Sequence, residues 1–169
     1  MSRVEVEFED NTIKFLNALD DEVNAWLEEA AGELESQTKR NTNVGKVGGG
    51  RTKAAWAHKV DEAKHEATVG NPLQTAIWLE FGTGDYALEG DGRKGGWWIK
   101  VGNGAGQISR EDAEAYGWKK VRKDKNGNLT FVFTTGMKPH RPLHKAAEKV
   151  EKKVLNRLSS RLKKLGDSK

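Results

Sequence analysis

"AIWLEFGTGDYALEG", residues 76–90, is the stretch on which the path of the chain depends. It begins as an apolar turn of helix that carries one glutamate, Glu80, among large apolar side chains. Gly82 and Gly84 follow, and glycine ends a helix readily because it adopts positive backbone angles at little cost. A carboxylate at such a bend fits three uses: a catalytic acid, part of a phosphate-binding loop, or a structural corner.

Composition narrows the class of protein. With 169 residues, 36% hydrophobic residues and six tryptophans, the chain is predicted to form a single domain over residues 1–169, with flexible loops near 43–53 and 85–106. The absence of cysteine excludes disulfides, thiolate nucleophiles and zinc–thiolate sites. The start, "MSRVEVEFED", is acidic, and no stretch reaches transmembrane length, so we expect no signal peptide and a soluble protein made in the cytoplasm.

Charge is distributed unevenly, although the formal net charge is only +4. Residues 1–35 hold eleven acidic residues against two basic ones, and residues 138–169 hold eleven basic residues against three acidic ones. Segments of opposite sign are expected to attract each other, either within one chain or between successive subunits of a ring. A basic segment that contacts nucleic acid is the competing interpretation.

Apolar spacing predicts two long helices, one near each end of the chain. From Asn11 to about Arg40, apolar residues recur every three or four positions, and Asp10 or Asn11 is the predicted N-cap. A second amphipathic stripe begins at Leu143, and Pro142 occupies its first turn, where proline costs no hydrogen bond.

Strand-like segments accompany these helices. Residues 4–8, 54–60, 63–70 and 95–101 are predicted strands, and residues 118–136 are predicted to form a hairpin. Asn126 and Gly127 are expected to supply the positive backbone angles of its turn. Short helices are predicted from Pro72 to Phe81 and after a Ser109 cap. The order predicts an α+β fold: a small antiparallel sheet packed against a long N-terminal and a long C-terminal helix.

Two glycine-rich stretches resemble nucleotide-binding motifs incompletely. Residues 45–52, "GKVGGGRT", carry Arg51 where the phosphate loop needs lysine, and no buried strand precedes them. In "VGNGAGQ", residues 101–107, the third glycine is out of step with the dinucleotide pattern. Both are interpreted as loops.

The sequence shows no catalytic or metal-binding constellation. The four histidines, His58, His65, His140 and His144, have no carboxylate at ligand spacing and are interpreted as surface residues. No serine or threonine lies in a nucleophile-elbow context. We therefore predict that the protein is not an enzyme and uses no cofactor or metal.

The basic C-terminal helix keeps a second hypothesis open, a cytoplasmic nucleic-acid-binding protein. No aromatic residues interleave with its lysines, so a solvated face opposed to the acidic N-terminal helix is favoured. Trp97, Trp98 and Trp118 lie in a glycine-rich region, where they suit either a local core or anchors for a protein partner.

Two segments in this order carry a family resemblance: "AIWLEFGTGDYALEGDGRKGGWW", residues 76–98, and "FTTGMKPHRPLHKAAE", residues 133–148. The chain resembles the bacteriophage tail-component family, also described as head–tail joining, neck or tail-completion proteins, over about residues 10–165. The positions that carry the motif, and which are our candidate interaction residues, are Glu80, Phe81, Gly82, Thr83, Gly84, Arg93, Trp97, Trp98, Gly136, Pro139, Arg141 and Pro142.

The resemblance implies a structural virion protein that joins or completes the tail at the head–tail interface by ring assembly. Its implied partners are further copies of itself and neighbouring neck or tail proteins, with possible non-specific contact to genomic DNA and no membrane. The implied location is the virion, reached from the host cytoplasm. Glu80 is expected to brace the corner, either by accepting backbone N–H groups or by pairing with Arg141.

Overall fold

In the computed structural model of this chain, residues 11–45 and 50–167 are described. The predicted strand at residues 4–8 and the Asp10 cap lie outside them. These residues form five α-helices and five strands in the order α1 (Thr12–Asn41), α2 (Arg51–Ala54), β1 (Ala57–Asp61), β2 (Glu66–Gly70), α3 (Gln74–Phe81), β3 (Trp97–Lys100), α4 (Arg110–Ala115), β4 (Val121–Lys123), β5 (Leu129–Thr134) and α5 (Pro142–Asp167), with a short 3₁₀-helix at Gly84–Tyr86.

The two long helices, α1 and α5, pack side by side and run antiparallel. The indole Nε1 of Trp26 donates to the carbonyl of Val154 at 3.0 Å, while Asn41 at the other end of α1 donates to the carbonyl of Pro142. Both predicted long helices are therefore confirmed. Their buried faces supply most of the core among the described residues: Leu27, Ala31, Ala146, Val150 and Val154.

The strands form two separate antiparallel sheets. The hairpin of β1 and β2 packs against α1. The other sheet has the order β3–β5–β4 and contacts α4 through β5, where Val132 is fully buried. The predicted α+β class, with long helices at both ends and small antiparallel sheet structure, is confirmed.

Three predicted boundaries are wrong near the hairpin and α3. The second strand was expected over residues 63–70 but begins at Glu66, because the backbone N–H groups of Lys64 and His65 bond to the carbonyls of Asp61 and Glu62 in the turn of the hairpin. Residues 54–56 were expected in a strand, but Ala54 ends α2, whose first turn follows Gly50 in the left-handed conformation. Helix α3 begins at Gln74 rather than Pro72, because the Asn71 side chain accepts the backbone N–H of Leu73 and forms a turn there.

The turn between β4 and β5 also differs from the prediction. Gly127 has a positive φ, whereas Asn126 does not. Asp124 accepts the backbone N–H groups of Asn126 and Asn128, so a longer loop organised by this carboxylate replaces the expected two-residue turn. The Ser109 cap of α4 is confirmed, since its hydroxyl accepts the N–H of Asp112.

Candidate functional site

Glu80 lies at the end of α3 and faces the beginning of α5. Its two carboxylate oxygens accept the backbone N–H groups of Leu143 at 2.9 Å and His144 at 3.0 Å. These N–H groups lie in the first turn of α5, where no carbonyl within the helix reaches them. A carboxylate also interacts favourably with the positive end of the helix dipole. Of the two arrangements expected for Glu80, the structure contains the contacts to backbone N–H groups.

The residues after Glu80 interlock with the segment that leads into α5. The N–H of Thr83 donates to the carbonyl of Met137, and the hydroxyl of Thr83 accepts the N–H of Met137. The N–H of Asp85 donates to the carbonyl of Thr135 at 2.8 Å. These bonds join residues 80–85 and 134–144 into a unit that we call the glycine corner.

Close backbone approach explains why the corner needs glycine. Gly84 and Gly136 both have positive φ, and a Cβ added to either would come within 2.9 Å of the other's Cα or closer. A Cβ on Gly136 would also collide with the carbonyl of Thr83, and one on Gly82 would lie 2.8 Å from the carbonyl oxygen of Tyr86. Real side chains essentially never make such contacts.

Arg141, the residue before α5, has φ +56°, a left-handed conformation that is uncommon outside glycine. Its N–H and that of His140 both donate to the carbonyl of Leu79 in α3. The backbone of α3 therefore holds Arg141 in place while Glu80 caps the helix that Pro142 begins. The start of α5 is therefore held by two neighbouring residues of α3, the backbone carbonyl of Leu79 and the side chain of Glu80.

Large apolar side chains remain exposed around the corner. Ile77, Trp78, Phe81 and Leu88 are between 42% and 58% exposed. They line or adjoin two clefts of about 500 and 440 Å³, which share Ile77 and Phe81. We call these four residues the corner surface. A cluster of exposed apolar side chains on a rigid support is typical of a protein–protein contact.

The structure brings together most of the sequence-predicted site residues. Trp97 approaches Gly84, and Arg93 stacks over the Trp97 ring at 5.6 Å. Pro139 approaches Gly82. Trp98 does not join this group, because successive strand residues point to opposite faces, and its ring meets that of Phe133 edge to face.

Opposite charges join the long helices within one chain. Arg157 reaches Glu29 and Glu33, and Arg161 reaches Glu22 and Glu29. Lys153 adds a 2.7 Å contact with Glu33. Lys153 and Arg157 hold the pKa of the Glu33 carboxyl below its usual range. The intrachain alternative for the charge asymmetry is therefore present in the structure.

His58 has a role that sequence reasoning missed. Its two ring nitrogens contact Glu28, at 3.0 Å, and Glu35, both on α1. These carboxylates raise the pKa of His58, while Lys39 and His58 lower the pKa of Glu35. The contact joins β1 to α1. Glu28 and Glu35 lie seven residues apart on one face of α1, and this spacing in the sequence was a signal that they share a partner.

The remaining histidines make polar contacts at the surface: His65 with Asn24 and Asp20, His140 with Asn43, and His144 with Glu148. Within residues 11–45 and 50–167, no group of histidines and carboxylates is arranged to hold a metal ion. No helix in the same part of the chain combines the length and apolar character needed to cross a membrane.

Comparison with known families bears on the part of the chain that contains α1, the β1–β2 hairpin and α3 up to the corner. Residues 7–82 match the family model described as "Bacteriophage HK97-gp10, putative tail-component". The resemblance to the phage tail-component family is thereby confirmed over these residues. The match ends at Gly82 and does not include the segment that leads into α5. Neither the curated proteins nor the solved structures give a match to this chain.

Proposed function

We propose that this chain is a structural virion protein that joins or completes the phage tail at the head–tail interface, and that it acts by docking rather than catalysis. The family match supports a phage tail component with a structural role among other phage proteins. The observation that carries the proposal further is the corner surface. Its exposed side chains are held by the Glu80 cap and the glycine interlock, so docking requires little ordering.

We propose a second copy of the chain as the occupant of the corner surface. Ile13 and Leu16, at the start of α1, and Leu162, near the end of α5, are also exposed apolar residues. We call these three residues the helix-end surface. Helix α1 has 30 residues and is about 45 Å long, so the two surfaces lie near opposite ends of the helix pair. Two different surfaces that meet head to tail generate a ring when the rotation closes.

The nucleic-acid hypothesis based on α5 loses the full contribution of three of the cations of this helix. Its residues Lys153, Arg157 and Arg161 are engaged by carboxylates of α1. Those cations are therefore partly neutralised before any phosphate arrives.

Cysteine cross-linking in assembled particles tests the proposed ring, because the chain has no cysteine of its own. In phage that carry Leu16→Cys together with Trp78→Cys, oxidation is expected to give a ladder of covalent oligomers that ends at a closed ring. The two positions are too far apart to bridge within one chain, since a disulfide needs Cα atoms within about 7 Å.

The matched control is Leu155→Cys with Trp78→Cys, because Leu155 is exposed midway along α5 and outside both surfaces. This pair is expected to give no ladder. Equal ladders from the two pairs, or no ladder from the first pair in intact particles, would overturn the head-to-tail contact. Particles that assemble and infect without the polypeptide would overturn the structural role.

A further inference from the structure

One face of the three-stranded sheet combines aromatic rings with cations. In the register of the sheet, Trp98 lies opposite Phe133, while Lys100 and Arg122 both lie opposite Phe131. Paired residues in antiparallel strands point to the same side, so these side chains share one face. The rings of Trp98 and Phe133 meet edge to face with centroids 5.3 Å apart.

The cations on this face are held by rings instead of carboxylates. The Arg122 guanidinium lies 4.3 Å from the centroid of Trp98, and the Lys120 ammonium lies 5.1 Å from that of Phe133. Within the described chain, Lys100, Lys120 and Arg122 form no ion pair at 4.0 Å or less. Residues 119–134 contain five basic residues and one acid. We call this surface, with Trp98, Phe131 and Phe133, the cationic sheet face.

Helix α1 of a second copy is poorly suited to neutralise this face. The most acidic described element is α1, and its glutamates already have partners in their own chain. Lys153, Arg157 and Arg161 engage three of them, and His58 contacts two more. The uncompensated positive charge of this face is complementary to a polyanion such as the backbone of a nucleic acid.

We infer that the cationic sheet face binds the phosphate backbone of double-stranded DNA without sequence preference. The cations lie on β3 and on or next to β4, which flank β5 and are about 10 Å apart, enough to contact several phosphates on a duplex with one charge per roughly 1.7 Å. The Trp98 and Phe133 rings already carry cations and contact each other, so they leave little free surface for stacked bases. This inference extends the proposed function and does not depend on ring formation.

Fluorescence anisotropy with the full chain and a mixed-sequence duplex of about 25 base pairs tests this inference across about 50–200 mM salt. The test variant is Lys120→Gln with Arg122→Gln. The control is Lys149→Gln with Lys152→Gln, which removes the same charge from exposed positions of α5. Thermal unfolding checks that both variants fold like the wild type.

The wild type is expected to bind with a steep salt dependence. Loss of two phosphate contacts lowers the slope of log affinity against log salt by about 1.8, so the advantage of the wild type shrinks about tenfold across this range. The control keeps the wild-type slope. The inference is overturned if the two variants behave alike, if the wild type does not bind at the lowest salt, or if polyglutamate at equal charge displaces the duplex completely.

Discussion

The change Glu80→Gln tests the corner at the residue on which its geometry depends. Glutamine keeps the shape of the side chain and one carbonyl oxygen, so it can accept the N–H of Leu143 or that of His144 but not both. Its amide group then faces the other N–H, which loses its acceptor in a half-buried position. The negative charge at the start of α5 is lost as well.

The structure gives the magnitude. An unsatisfied buried N–H costs about 1–3 kcal/mol, and a charge at a partly buried helix terminus contributes about 0.3–2 kcal/mol. We expect Glu80→Gln to lower the free energy of unfolding by about 2–3 kcal/mol, or roughly 4–12 °C in Tm for a chain of this size. The larger loss of about 3–5 kcal/mol that follows removal of one partner from a buried ion pair does not apply, because Glu80 contacts backbone N–H groups.

Urea denaturation and hydrogen exchange measure this effect together. The amide protons of Leu143 and His144 are expected to exchange faster in the variant. The exchange rates of amide protons in the middle of α1 are expected to rise only by the amount that the loss of global stability explains. Glu151→Gln is the matched control, since Glu151 is exposed on α5 and has no hydrogen bond or ion pair in the described chain. A Glu80→Gln protein as stable as this control, with unchanged exchange at Leu143 and His144, would refute the capping role.

Three further changes test other parts of the molecule. Gly136→Ala is expected to lower the free energy of unfolding, measured in urea, by more than about 3 kcal/mol, because the added Cβ meets the Thr83 carbonyl. The control Gly117→Ala, at a positive φ with open space around it, is expected to lower it by about 1–2 kcal/mol. Equal losses in the two variants would contradict the interlock. His58 has a raised pKa, so its stabilising contribution is complete below pH 6.5 and is lost as the pH rises through the folded-state pKa. The difference in free energy of unfolding between wild type and His58→Gln should therefore narrow as the pH rises. A difference that stays constant would exclude a link between the protonation of His58 and stability. Arg157→Ala should lower the free energy of unfolding by about 1 kcal/mol, and by less in high salt, since the ion pairs of Arg157 lie near the surface. A loss that does not change with salt would show that Arg157 stabilises the protein by packing.

Periodic spacing predicted the long elements because their stabilising contacts repeat along the sequence. The apolar stripes of α1 and α5 meet in the helix pair, and Pro142 begins α5 as expected. The Ser109 cap was predictable for a similar reason, since Ser109 and Asp112 lie within one turn. The two-residue turn predicted at Asn126 and Gly127 was wrong because the carboxylate of Asp124, just before it, accepts the backbone N–H groups of Asn126 and Asn128 and organises a longer loop.

The candidate site was only partly predictable because its contacts join distant residues. The glycines of the corner indicated a reversal, but the sequence left open whether Glu80 bound N–H groups or Arg141, since α5 begins about 60 residues later. The partners of His58 lie 23 and 30 residues away on α1. The cationic sheet face required the register of β3, β5 and β4, which no single segment of the sequence contains.

Electron cryo-microscopy of virions that carry a tagged copy of this chain tests the docking role most directly. We expect a closed ring of the protein at the junction between head and tail, with Trp78 and Phe81 of each subunit buried against the helix-end surface of its neighbour. Infectious particles that lack the polypeptide, or that hold it only away from this junction, would contradict the account.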